Sequence, residues 1–165
     1  MMKATQLLGM PVVSIAGAEK LGDVQDLVLN PDAQHVVAVR IRLLPEGVVK
    51  TVSAIDARVG HDAVTIKDSR SVTQEELAEA EGTVDLSRLL GVRVLSHGGN
   101  LLGNIEEVEI DTNLVITDYQ VGTNALSDLF GGRKSLPAVK GMHFVKDILM
   151  VPDVGDAAPE LKKTA

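Results

Sequence analysis

The sequence predicts an all-β fold made of two similar units in tandem, and three observations support this. Hydrophobic residues make up 45% of the 165-residue chain but aromatic residues only 2%, so the core must be built from Val, Leu and Ile, which favour pleated sheets. The hydrophobic runs are short and are separated by turns rich in Gly, Asn, Asp and Pro. The same apolar pattern also occurs twice along the chain. These features together are typical of a small barrel or sandwich.

The internal repeat is clearest at the beginning of each unit. Leu7-Leu8-Gly9 recurs 82 residues later as Leu89-Leu90-Gly91, and Leu21-Gly22 recurs 81 residues later as Leu102-Gly103. The later parts of the units align at offsets between 80 and 84. Short insertions and deletions of this kind are tolerated in surface loops, so the repeat predicts a duplicated unit.

The first unit is predicted to span residues 5–70 and the second to span residues 88–154. Strands of the first unit are expected near residues 10–15, 21–30, 35–43, 49–55 and 63–67. In the second unit, Gly98-Gly99-Asn100 predicts a hairpin turn. A unit of this size buries only about 60% of its unfolded surface, so we expect a fixed contact between the two units.

A bend is predicted in the long second strand of each unit. Apolar residues fall at positions 24, 27 and 29, and again at 105, 108 and 110. The step of three breaks the alternation of side chains between the two faces of a strand. A bulge near Gln25-Asp26 and near Glu106-Glu107 would restore the inward face; the alternative is a strand that begins after residue 26.

The segment between the units, residues 71–87, is predicted to be a linker with a short helix. Thr73 followed by Glu76 is typical of a capping box, which predicts a helix over residues 74–81. At the other end of the chain, residues 155–165 are expected to form a mobile tail.

Composition excludes several classes of function. The chain has no cysteine, which rules out disulfides, thiolate catalysis and cysteine-based zinc sites. Its net charge is −7 and its basic residues occur as pairs instead of stripes, so direct nucleic-acid binding is not expected. No apolar run is long enough to span a membrane as a helix, and the expected location is the cytoplasm.

No constellation of residues predicts catalysis, a cofactor or a metal site. His61 and His143 fall at roughly corresponding positions of the two units, which favours inherited turn residues over a shared metal. The carboxylates near the predicted bends are interpreted as solvated charge, with cation binding or acid–base chemistry as the alternatives. The residues tested for such chemistry without support are Asp23, Asp26, Glu106, Glu107, Glu109, Asp111, Ser14, Ser53, Ser96 and the glycine-rich run 98–103.

One loop stands out as a candidate partner-binding segment. Residues 122–132 form a longer loop than the matching residues 43–47 of the first unit. Leu126, Leu129 and Phe130 share one face of a helical turn, and Arg133 follows them. The alternative is a lid that packs over the open end of the unit. Aromatic residues anchor interfaces disproportionately, so the functional interpretation is an apolar anchor for protein or membrane lipid.

The repeated motif resembles the PRC-barrel family, which is named for a domain of the photosynthetic reaction centre H subunit and also occurs in the C-terminal domain of a ribosome-maturation factor. The residues that carry the resemblance are Leu8-Gly9 with Lys20–Leu29, Leu90-Gly91 with Leu102–Asp111, and the stretch 131–139. The first unit lacks the expected proline at Thr51–Ala54. The resemblance implies two small, mostly antiparallel β-barrels with adaptor or assembly roles, and no catalytic residues.

The favoured hypothesis is therefore a non-catalytic interaction or scaffolding module, expected to homodimerise, that docks on a larger cytoplasmic or membrane-surface assembly. A ribosome-assembly accessory factor is the first alternative, and it follows only from the resemblance. A sensor for a small ligand or a metal is the second.

Overall fold

The structure, a computed structural model, describes residues 1–73, 80–123 and 133–153 and confirms the all-β class. The strands are β1 (Met2–Lys3), β2 (Pro11–Ser14), β3 (Glu19–Asn30), β4 (His35–Leu43), β5 (Val49–Ser53), β6 (Ala57–Val59), β7 (Val64–Ile66), β8 (Val72–Thr73), β9 (Val84–Asp85), β10 (Arg93–Ser96), β11 (Leu101–Ile110), β12 (Ile116–Gly122), β13 (Arg133–Pro137), β14 (His143–Val145) and β15 (Ile148–Val151). One short helix, α1 (Leu86–Leu89), and the 3-10 turns Ala4–Leu7, Ala54–Asp56 and Ser69–Ser71 complete the described elements.

The strands form two sheets with the same order. The first sheet runs β6-β7-β2-β3-β4-β5-β8, and the second runs β14-β15-β10-β11-β12-β13. In both sheets the pairings are antiparallel except one, which joins β2 to β7 and β10 to β15 in parallel. Within the described residues each sheet follows an open path, with β6 and β14 at one end.

The predicted strands of the first unit agree with β2, β3, β4, β5 and β7, while β6 was not predicted. The predicted bulges are confirmed, because the β3–β4 register shifts between Val24 and Asp26 and the β11–β12 register shifts between Ile105 and Glu107. The hairpin turn after β10 is also confirmed: Gly99 has φ +86° and donates to the Ser96 carbonyl.

The segment 71–87 contains two short strands, β8 and β9, and the beginning of α1. Residues 74–79 of the predicted helix lie outside the described residues, and so does the predicted tail, 155–165.

The two sheets exchange their leading strands. β1 comes before the first sheet but pairs with β11 of the second, matching Met2 to Ile110. β9 comes before the second sheet but pairs with β3 of the first, matching Val84 to Leu29. The expected fixed contact between the units therefore includes backbone pairing in both directions.

A third contact joins the sheets at equivalent positions. His35 of β4 forms an antiparallel bridge with Val115, 80 residues later. The amide of Val36 donates to the Leu114 carbonyl, and the amide of Ile116 donates to the Gln34 carbonyl. Since each bond has its counterpart at the same offset, this bridge lies on an approximate twofold axis between the sheets.

The buried aliphatic residues of both sheets form one continuous core. Leu7 and Leu89, which follow the exchanged strands, are fully buried. Val24 and Ile105 are also buried at equivalent places beside the bulges. At about 25 cal/mol per Å² of apolar area removed from water, this shared interior is the main source of stability.

Candidate binding surface

Three of the four candidate partner-binding residues, Leu126, Leu129 and Phe130, lie outside the described residues. The fourth, Arg133, begins β13 and pairs with Gly122 of β12. The loop that the sequence singled out therefore joins two neighbouring strands, and the ends of these strands border a groove.

This groove, the end groove of the second sheet, has a volume of about 520 Å³. Leu101, Leu102, Val121 and Leu136 form its apolar lining, and Lys134 lies at its edge. Leu101 is 61% exposed and Leu102 is 37% exposed. Apolar side chains that remain accessible around a concave surface are typical of protein-binding sites.

The position of Leu101 and Leu102 depends on the glycine that follows them. Gly103 has φ +143°, and a Cβ atom there would lie 2.0 Å from the Gly122 carbonyl oxygen of β12. Gly22 makes the equivalent approach to the Arg42 carbonyl in the first sheet. Only glycine permits this backbone approach, so the repeated Leu-Gly pair has a steric origin.

The first sheet has a groove at the same place, but its lining is charged. Glu19, Lys20, Glu46 and Lys50 surround this groove, which has a volume of about 700 Å³. Lys20 pairs with Val13, and Leu101 makes the equivalent pair with Leu95. The second groove thus carries a leucine where the first carries a lysine, and this makes the two ends of the molecule different.

The interpretation of the bulge carboxylates as solvated charge is wrong for two of them. Asp26 is only 7% exposed and Glu107 only 8% exposed. Asp26 accepts hydrogen bonds from the amide and the hydroxyl of Ser87, in the first turn of α1. The bulge directs these side chains towards the other half of the chain instead of towards water.

Glu107 makes the equivalent contacts in the opposite direction. It accepts from the Thr5 amide at 3.1 Å and from the Thr5 hydroxyl at 2.6 Å. Each carboxylate therefore caps the free amides of the helical turn that follows the other half's exchanged strand. Both groups have structural hydrogen-bond partners.

The serines tested for nucleophilic chemistry also hold turns. Ser14 is buried and its hydroxyl accepts from the Gly17 amide at 3.3 Å. Ser96, 82 residues later, is buried and accepts from the Asn100 amide at 3.1 Å. These hydroxyls stabilise the equivalent hairpins β2–β3 and β10–β11.

The structure does not bring His61 and His143 into equivalent positions. The parallel pairs match Val12 to Val64 and Val94 to Leu149, so the last strands align at an offset of 85. His143 then corresponds to Arg58, which pairs with Thr65 as His143 pairs with Met150. The ring close to His143 is instead that of His97, with centroids 5.7 Å apart.

Sequence reasoning missed the end groove because its residues come from three separate strands. The signal that could have found it was the replacement of Lys20 by Leu101 within the repeat. Within the described residues, no helix is long and apolar enough to cross a membrane.

Comparisons with known proteins place the fold of the first sheet. The family model of the PRC-barrel domain matches residues 1–72. No curated protein matches the chain. Among solved structures, a chain described as the 16S ribosomal RNA processing protein RimM of Pseudomonas aeruginosa aligns over 91% of this chain and 98% of its own length. Its sequence identity is 16% and its TM-score is 0.31. Residues 1–72, which include all of the first sheet except β8's last residue and β9, are therefore similar to a PRC-barrel domain.

Proposed function

We propose that the chain is a non-catalytic interaction module, composed of two PRC-barrel-like units, which binds a protein partner through the end groove of the second sheet. By this proposal the units are a tandem duplication, with sequence limits near 5–70 and 88–154. The equivalent bulges, glycine approaches and exchanged strands at offsets of 80 to 82 residues support the duplication.

The observation that carries the binding proposal is the apolar lining of the end groove. Leu101 and Leu102 are exposed around a concave surface with Val121 and Leu136. Removing such a patch from water is favourable, and apolar residues at the centre of an interface provide much of its binding energy. The groove therefore fits a partner segment with protruding apolar side chains.

The charge at the edge of the groove further defines that partner. Lys134 is exposed beside the apolar lining. An acidic residue next to the apolar segment of the partner would complement it, mainly by favouring the correct orientation and the association rate. The candidate loop containing Leu126, Leu129 and Phe130 begins just after Thr123, which also lines the groove.

The non-catalytic part of the proposal has separate support. The buried carboxylates Asp26 and Glu107 are engaged by Ser87 and Thr5, and the buried serines hold hairpin turns. These groups are explained by the fold without a reaction.

The decisive experiment compares two lysine substitutions in the full chain. Leu101→Lys reproduces the residue that the first sheet carries at the equivalent position, so the variant is expected to fold. Val145→Lys is the matched control, because Val145 is 48% exposed in the same sheet but does not line the groove. Affinity purification with quantitative mass spectrometry would identify proteins whose recovery falls with the first variant alone.

Binding of the purified partner would then be measured directly. Burying a leucine stabilises by about 1.5–3 kcal/mol, so Leu101→Lys should weaken binding by roughly tenfold or more. Partners recovered equally by Leu101→Lys and by the native chain would contradict the proposal. Sedimentation equilibrium and co-sedimentation with ribosomal subunits would show whether the partner is a second copy or a ribosomal component.

A further inference from the structure

The turn after β10 and the first residue of β14 bring His97 and His143 together, and we propose that these two residues form a binding site for a divalent transition metal such as zinc. Their ring centroids are 5.7 Å apart and the ring planes are inclined by 44°. The residues are 46 positions apart in the sequence, and only the fold makes them neighbours.

Both histidines are positioned by the same strand, β15, which lies between β10 and β14. The His97 amide donates to the Val151 carbonyl at 2.8 Å. His143 pairs with Met150, the preceding residue of β15. The backbone of each ligand is thereby fixed on the sheet, and this reduces the entropy that metal binding would cost.

The hydrogen bond of His143 determines which of its nitrogens is available. Its Nδ1 atom lies 3.1 Å from the Gly141 carbonyl oxygen. A carbonyl can only accept, so Nδ1 carries the proton and Nε2 has the free lone pair in the neutral ring. A backbone carbonyl bound to the second nitrogen is the usual arrangement behind a metal-binding histidine.

The distance between the rings suits a shared ion. Imidazole nitrogens bind zinc at about 2.0–2.1 Å, which places the centroids of two rings on one tetrahedral zinc roughly 5–5.5 Å apart. A small rotation of the exposed His97 ring would close the remaining difference.

No group of three or more His, Asp or Glu residues forms a metal site within the described parts of the chain, so water would complete the coordination. The carboxylate of Asp153, which approaches Gly98 beside His97, favours a cation in this region.

The first sheet offers a comparison within the same molecule. Its residue equivalent to His97 is Ile15, whose amide donates to Ile66 at 2.9 Å. Its residue equivalent to His143 is Arg58 of β6. Neither can bind a metal in this way, so the proposed site belongs to the second sheet alone.

Isothermal titration of the full chain with zinc at pH 7.5 tests the proposal. We expect one zinc ion per chain. His97→Gln and His143→Asn should each weaken binding by about tenfold or more. The Asn amide of the second variant can keep a hydrogen bond to Gly141 while it removes Nε2. His61→Gln is the control, because the His61 side chain is 96% exposed and is paired with the adjacent Asp62.

The pH dependence and a spectroscopic measurement make the outcome specific. Binding should be lost near pH 5.5, where imidazoles with ordinary pKa values of about 6.5 are protonated. Long-range ¹H–¹⁵N spectra should show zinc on Nε2 of His143. Absence of zinc binding at micromolar concentration, or equal loss with His61→Gln, would overturn the site and would leave the end-groove proposal unaffected.

Discussion

Tyr119 shows how a single residue of the core responds to its surroundings. It is the only tyrosine of the chain, and its side chain is fully buried. Its hydroxyl has no hydrogen-bond partner among the described residues. Burial, with the negative charge of Asp32 as a smaller cause, raises the pKa of Tyr119 well above its ordinary value of 10.0. The phenol therefore stays neutral in the folded protein.

This pKa shift predicts a loss of stability in alkaline solution. Above about pH 10 the unfolded chain releases the tyrosine proton while the folded chain retains it. The free energy of unfolding must then fall as the pH rises, by up to about 1.4 kcal/mol per pH unit for this group. Urea unfolding of the native chain at pH 9, 10 and 11 would measure the decrease.

The Tyr119→Phe variant isolates this effect. It removes a buried hydroxyl that lacks a partner, so its stability at pH 7 should equal or exceed that of the native chain. The extra alkaline loss should disappear, because lysine and arginine titrate alike in both proteins. A tyrosine that ionises near pH 10 in the folded protein, as judged by absorbance at 295 nm, would contradict the prediction.

Individual elements of this fold depend on polar contacts between the two halves. The bulge in β3 lets Asp26 accept from the Leu27 amide at 2.8 Å as well as from Ser87. The bulge in β11 does the same for Glu107, which accepts from the Val108 amide and from Thr5. A bulge is therefore both a bend of the strand and a receptor for the exchanged turn.

Replacing either carboxylate by its amide should destabilise the protein. In Asp26→Asn, one acceptor oxygen becomes a donor group that faces the amide or the hydroxyl of Ser87. We expect the free energy of unfolding to fall by about 1–3 kcal/mol, and Glu107→Gln should behave similarly. Chemical denaturation at pH 7 measures both.

A surface carboxylate on the same strand provides the control. Asp23 makes an exposed ion pair with Lys20 at 3.0 Å, so Asp23→Asn should change stability by less than about 0.5 kcal/mol. Ser87→Ala should also cost less in the Asp26→Asn background than in the native chain. Equal effects of Asp23→Asn and Asp26→Asn would show that the buried capping contacts contribute little.

The long strands and their bulges could be predicted from the sequence because many apolar residues define each of them. The exchanged strands β1 and β9 could not, since two residues have no measurable periodicity. The burial of Asp26 and Glu107 was missed for a related reason. A carboxylate next to a bulge appears solvent-facing until its partner, 61 or 102 residues away, is known.

The end groove and the histidine pair lay further beyond sequence reasoning. Both combine residues from separate strands, and the histidines approach each other only because β15 lies between β10 and β14. A shift of one residue in aligning the last strands was enough to match His143 with His61. Parallel pairing, which joins strands distant in sequence, decides such details and leaves little trace in a single sequence.

At the scale of the whole molecule, the reciprocal exchange makes the two sheets one cooperative structure. β1 and the turn at Ala4–Leu7 belong to one half by sequence but complete the sheet of the other. β9 and α1 do the same in reverse. The partly buried ion pair between Arg40 of β4 and Asp85 of β9, at 3.1 Å, adds a further link.

A cut between the halves tests this view directly. A protease recognition sequence would be inserted between β8 and β9, in the stretch 74–79, and the folded protein would be cleaved there. The halves should stay associated after cleavage, because two backbone pairings, two capping carboxylates and a continuous apolar core still join them. Size-exclusion chromatography with light scattering should therefore give a single species with the mass of the uncut chain, 17.5 kDa plus the insert.

Thermal unfolding of the cleaved protein should remain a single transition, with a midpoint that now depends on concentration, because association of the fragments contributes to stability. Weakening both capping contacts, with Thr5→Ala and Ser87→Ala together, should promote dissociation after the cut while the uncut variant stays folded. Fragments that separate and remain individually folded would instead mean that each sheet is stable alone. The exchanged strands would then be an attachment between independent domains, not a requirement of the fold.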